Sequence, residues 1–156
     1  MIVLAPYDKT NSFCTLDEAE SYHAIKLNSG AWDDATNEDK EKALQSASLR
    51  LSQLDWVGDQ YEAKQALAWP RVIYRMGAPF FYEFPTFLKN ATAELAYNLL
   101  KGGNESGASE AVKSISFSGM KMDFKDAKPS QNDDLPLEVW AFIEKYINRS
   151  VKLHRC

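Results

Sequence analysis

A tryptophan set directly before a proline, in the run Gln65-Ala66-Leu67-Ala68-Trp69-Pro70-Arg71, constrains this chain more than any other feature. A proline ring pushes its predecessor out of the α region toward an extended backbone, so a helix does not run comfortably through the pair. Trp69 therefore ends one element and sits at a corner, where its indole is large enough to plug the space beside a neighbouring helix, provided that its N–H finds an acceptor. That helix follows at once. Leu88, Ala91, Leu95 and Leu99 recur at helical spacing between Pro85 and Gly102-Gly103, which predicts a helix from about Thr86 to Lys101. Trp69, Pro70 and Leu95 are the expected structural keystone.

Upstream, Thr15-Leu16-Asp17-Glu18 has the spacing of a capping box, in which the Thr15 hydroxyl takes the Glu18 N–H and the Glu18 carboxylate reaches back. A helix is expected from there to about Leu27, with Ala19, Tyr22 and either Ile25 or the stem of Lys26 on its buried side, ended by Asn28-Ser29-Gly30. Trp32 falls in the following loop. A cap at Thr36 or Asn37 opens a second helix whose Leu44, Ala47, Leu51 and Leu54 form one stripe, with Asp39, Lys40 and Lys42 off it. Glu62 to Ala68 reads as a short turn of helix. The stretch Val72 to Phe84 reads as a loop crowded with rings, and two readings of Phe80, Phe81, Tyr82 and Phe84 stay open: core, or a surface for another subunit.

After Lys101 the period changes from 3.6 to 2. Val112 to Phe117 and Met120 to Lys125 alternate apolar and polar residues around Ser118-Gly119, predicting a β-hairpin over 112–125. Leu135-Pro136-Leu137-Glu138 starts a last helix with Val139, Trp140, Ile143 and Ile147 on one side. The expected architecture is mainly α: a small helical bundle with an inserted β-hairpin and extended N- and C-terminal arms. Residues 1–14 form the N-terminal arm, 15–148 the helical domain, and 149–156 a basic tail.

The chain's 156 residues suit one domain, and at 45% hydrophobic and 12% aromatic it can bury a real core. No apolar run reaches the ~20 residues that span a bilayer, so no membrane association is expected, and the N-terminus lacks the pattern of a signal peptide. Cys14 and Cys156 have no metal-like spacing and read as free thiols in a reducing compartment. The net charge is −4, which works against nonspecific nucleic-acid binding unless the cations cluster. From Thr15 through Lys42 eight acids face three lysines, a surplus that helix N-termini favour without any ligand.

No catalytic constellation emerges. His23 and His154 are isolated, and His23 reads as a surface or half-buried helix residue. Asp33-Asp34 and Asp133-Asp134 are loop carboxylates that either bind a divalent cation or stay solvated. No phosphate loop or paired-cysteine motif is present, so neither an enzyme nor a cofactor nor a metal is expected. The one stretch that suits single-stranded DNA is Arg71, Tyr74 and Arg75 beside the ring-rich loop, since such binders stack bases on aromatic rings along a basic groove.

The Gln65 to Arg71 run also carries a resemblance. Read together with Asn11-Ser12-Phe13 leading to Asp17-Glu18-Ala19-Glu20-Ser21-Tyr22, with Trp32 ahead of an acidic, alanine-rich helix, and with Ala91-Thr92-Ala93-Glu94-Leu95-Ala96, it resembles a tailed-phage family over roughly residues 10 to 125. That family is catalogued as DnaT-like single-stranded-DNA-binding proteins, and its members behave as head-to-tail adaptors on the portal ring. The resemblance implies a structural virion protein of the phage neck, made in the host cytoplasm. It would assemble as a ring of about twelve copies that joins the portal protein to the tail or a second connector, while genomic DNA passes through without sequence-specific binding. On that reading Arg149, Val151, Lys152, Leu153 and Arg155 dock on the portal. Tyr74, Phe80, Phe81, Tyr82, Phe84, Ile115, Phe117 and Met122 form the subunit interface. The alternative is a single-stranded-DNA-binding module of phage replication.

Overall fold

The computed structural model of the chain describes residues 1–102 and 135–148. The fold is mainly α, as expected: five α-helices and a small three-stranded antiparallel sheet, with 47% of the described residues helical. The predicted hairpin at 112–125 and the basic tail at 149–156 lie outside the described residues.

Local signals in the sequence set the helix starts. Helix α1 (Leu16–Ala24) opens with Thr15 and Glu18 exchanging both bonds of the capping box. It stops earlier than expected, so Ile25 and Leu27 stand 86% and 87% exposed. Helix α2 (Gly30–Asp33) is a single turn that carries Trp32, placed by expectation in a loop, into full burial. Helix α3 (Asn37–Ser52) is capped by the Thr36 hydroxyl, and Leu44, Ala47 and Leu51 are fully buried along the predicted stripe. Helix α4 (Thr86–Leu100) is the centre of the bundle and packs against α1, α3 and α5 (Leu137–Ile143), with Leu88, Ala91 and Leu95 buried. A 3-10 turn, Glu144–Tyr146, follows α5 and delivers Ile147 into an antiparallel bridge with Trp56. Residues 1–14 contain no helix or strand, yet Phe13 and Cys14 are fully buried among the helices. Burial pushes the Cys14 thiol up to about 12, which leaves it an inert packing group.

Trp69 plugs the corner its sequence position predicts. It is fully buried, edge-on to Trp56 at 5.3 Å and to Phe87 at 5.7 Å, and its peptide bond to Pro70 is cis. The expected acceptor is missing, because among the described residues its Nε1–H has no hydrogen-bond partner. Residues 62–68 run as turns and not as the expected short helix.

Polar groups lie deeper than the periodicity suggests. Lys40, placed off the core stripe by its spacing, is 7% exposed: its ammonium lies 5.4 Å from the centre of the Trp32 ring and reaches the Glu20 carboxylate at 2.8 Å. His23, expected at or near the surface, is 1% exposed: its ring stacks on Trp32 at 4.3 Å and its Nε2 lies 3.1 Å from the Ala93 carbonyl. A carbonyl only accepts, so the Nε2–H form is the one that fits, leaving Nδ1 unprotonated and without a partner among the described residues. Burial, reinforced by the nearby Lys26 charge, holds the His23 pKa below its ordinary value. The unfolded chain therefore takes up this proton first as pH falls. The contribution of the neutral ring is complete above about 6.5 and is lost as pH drops from there through the native pKa. Urea midpoints measured at mildly acidic and neutral pH should show this loss in the parent protein, and His23→Gln should remove that part of the pH dependence.

Candidate functional site

The ring-rich stretch read as a loop is a β-hairpin. Strand β2 (Arg71–Arg75) pairs antiparallel with β3 (Ala78–Tyr82), and the two-residue β1 (Asp59–Gln60) pairs with the other edge of β2. Met76 and Gly77 make the turn at φ 50° and 81°, the double left-handed conformation of a type I′ hairpin loop. Pro79, which has no N–H to give, is tolerated because β3 is an edge strand. Gly58 lets β1 approach closely, since a Cβ there would lie 2.3 Å from the Val72 carbonyl oxygen.

The register assigns the faces. Residues directly opposite share a side of the sheet, so Ile73 and Phe80 lie on one face, and Val72, Phe81, Tyr74 and Pro79 on the other. Ile73 is buried in the core, whereas Phe80, Ala78 and Arg75 on the same face are exposed toward the turn, so that face is covered only at its base; the second face is outward. There Tyr74 is 59% exposed and Phe81 50%, and Tyr61, just after β1 and 51% exposed, brings its ring centroid within 4.6 Å of Phe81. Tyr7 continues the row, edge-on to Tyr61 at 6.1 Å and to Phe84 at 6.4 Å, and Phe84 joins it to buried Phe13. Same-face positions along a strand stand about 6.6 Å apart. The outcome is an exposed file of rings on a sheet anchored in the core at Ile73.

Charge around this file is mixed. Arg75 is exposed beside the turn, whereas Asp59, Glu62 and Glu83 contribute acids. The Tyr7 hydroxyl donates to Glu83 Oε1 at 3.0 Å. Partial burial and then the Glu83 carboxylate raise the Tyr7 pKa, so the phenol stays a donor at neutral pH. Arg71, grouped by sequence with Tyr74 and Arg75, does not serve this face. Its guanidinium donates to the carbonyls of Val57, Ala68, Trp56 and Gly58, tying the loop before β1 to the Trp69 corner.

The structure thus separates the predicted site residues. Tyr74, Phe80 and Phe81 are exposed; Tyr82 and Phe84 are half-buried against the core; Trp69, Pro70 and Leu95 are buried. Ile115, Phe117 and Met122, with Arg149, Val151, Lys152, Leu153 and Arg155, lie outside the described residues. Tyr61 and Tyr7 join the site without any local sequence signal, brought in by sheet pairing and by a hydrogen bond from Ala66 N–H to the Tyr7 carbonyl. Among the described residues no cluster of His, Cys, Asp and Glu side chains could hold a metal ion, and no helix is long and apolar enough to cross a membrane.

Residues 5–155 match the model of a family described as "Putative DnaT-like ssDNA binding protein". No curated protein and no solved structure matches the chain. The family description points to single-stranded DNA and overturns the head-to-tail adaptor reading. With it fall the portal protein, the twelve-membered ring, the tail or second connector and the non-specific passage of genomic DNA as expected partners. The adaptor reading had assigned the exposed rings to neighbouring subunits because unburied apolar side chains call for a partner; a nucleobase meets the same demand.

Proposed function

We propose that this chain, which belongs to the DnaT-like ssDNA-binding family, is a binding module and not a catalyst, and that it holds single-stranded DNA by stacking bases on the outward face of its three-stranded sheet. The observation that carries this reading is the file Tyr74, Phe81 and Tyr61, each at least half exposed on a sheet whose other face is anchored in the core through Ile73. A base in single-stranded DNA has an apolar face to bury, and stacking on a fixed ring is worth about 1–3 kcal/mol per base. Rings already held by strand pairing lose little freedom when they do this. With Asp59, Glu62 and Glu83 near the rings, this face relies on stacking more than on neutralising phosphates.

Fluorescence anisotropy with a labelled thymidine oligonucleotide tests the reading. The parent protein should bind at about 50 mM salt, and Phe81→Ala should weaken binding by about tenfold or more, as expected from the loss of one stacked base. Because Phe81 is half exposed, the variant should keep the parent melting temperature. Absence of binding by the parent, or undiminished binding by Phe81→Ala together with Tyr61→Ala, would overturn it.

A further inference from the structure

Beside the ring file, between β3 and the start of α4, lies an open cleft of about 350 Å³ lined by Leu4, Phe81, Tyr82, Glu83, Phe84 and Lys89. Its size falls in the ~300–1,000 Å³ range of small-ligand sites. Phe81 belongs to both surfaces, so a strand laid on the rings meets the cleft without a gap. A carboxylate on a face that binds DNA repels each phosphate near it and lowers affinity for every sequence alike. It can favour binding by accepting hydrogen bonds from a base edge.

From this geometry, and resting on the single-stranded-DNA reading above, we infer that the cleft takes one base of the bound strand and that Glu83 makes guanine the preferred occupant. The Tyr7 hydroxyl, donating to Oε1 at 3.0 Å, orients the Glu83 carboxylate, which retains lone pairs for further donors. Guanine's Watson–Crick edge presents two adjacent N–H donors, from N1 and the 2-amino group, that match the two oxygens of a carboxylate. Cytosine offers its 4-amino group alone, with the repelling N3 lone pair beside it. Adenine sets its N1 lone pair beside its amino group, and thymine flanks its single N–H with two carbonyls, so both repel the carboxylate. Lys89, which also lines the cleft, is paired with Glu18 and not with Glu83.

The test compares a labelled thymidine oligonucleotide with copies carrying one central guanine, cytosine or adenine, on the intact protein. The guanine copy should bind about tenfold tighter than the all-thymidine strand, the scale of a paired base-edge contact. In Glu83→Gln this ratio should fall to near unity, and in Tyr7→Phe, which removes the orienting hydroxyl, it should narrow. Equal affinity for all four oligonucleotides, or a guanine preference that survives in Glu83→Gln, overturns the inference while leaving single-stranded-DNA binding in place. Failure of every oligonucleotide to bind the parent overturns both.

Discussion

Replacing Trp69 by alanine lowers the stability of the protein by about 3–5 kcal/mol, the cost of deleting a fully buried large ring whose surroundings do not collapse into the space. The neighbours explain why collapse is blocked. Trp56 meets the indole edge-on and is itself fixed by a 2.7 Å bond from its Nε1 to the Leu51 carbonyl and by the bridge to Ile147. Phe87 meets it from α4 and is stacked at 3.9 Å on Tyr146 of the C-terminal turn. Each neighbour is therefore held by a bond or stack of its own, and the Trp69 ring lies against both. Trp69→Phe should cost clearly less, because it keeps most of the apolar contact and removes an N–H that has no acceptor among the described residues. Urea titration of both variants measures the difference. An unchanged midpoint for Trp69→Ala would show that the corner is peripheral.

The helices were legible because their signals are local. The Thr15–Glu18 box, the Thr36 cap and the stripes of α3 and α4 each lie within a few turns of chain, and each forms where the sequence places it except at Leu54, which lies beyond the end of α3 and is half-buried. The β2–β3 hairpin was hidden by its own composition. Met76-Gly77 does not resemble the Asn-Gly that usually marks a type I′ turn, and Pro79 argues against a strand unless the strand is known to be an edge. Half of the candidate site was visible, since Tyr74 and Phe81 stand out as rings with too little core to fill, though the same signal also picks out Phe80, which the register puts on the opposite face. Tyr61 and Tyr7 were not visible, because they reach Phe81 and Glu83 through contacts spanning 20 to 76 residues of chain. The same distance problem concealed the buried polar groups. His23 meets the Ala93 carbonyl 70 positions away, and no periodicity encodes such a partner.

Another of these concealed contacts leads to the second large effect. Glu94, on the central helix, is 3% exposed, and both its oxygens accept from the Lys26 ammonium at 2.6 and 2.7 Å while Tyr22 donates at 3.0 Å. Burial and then the adjoining carboxylate raise the Tyr22 pKa, so this phenol remains a donor. Lys26 also lies 4.2 Å from the centre of the Tyr97 ring, which helps to hold it against α4. Lys26→Met keeps the packing of the stem and deletes the charge, stranding a carboxylate that one hydroxyl alone now serves. The expected loss is about 3 kcal/mol, the low end for a broken buried pair because the Lys26 side chain is 26% exposed and water can follow it in. Adding Glu94→Gln to Lys26→Met should recover part of that loss, since the amide retains an acceptor for Tyr22 and brings no charge to be desolvated. Urea titration of the parent, the single variant and the double variant separates the two effects. If Lys26→Met matches the parent, the pair is solvated and contributes nothing to holding α1 on α4; if the double variant is no better than the single, the cost lies in lost contacts and not in the stranded charge.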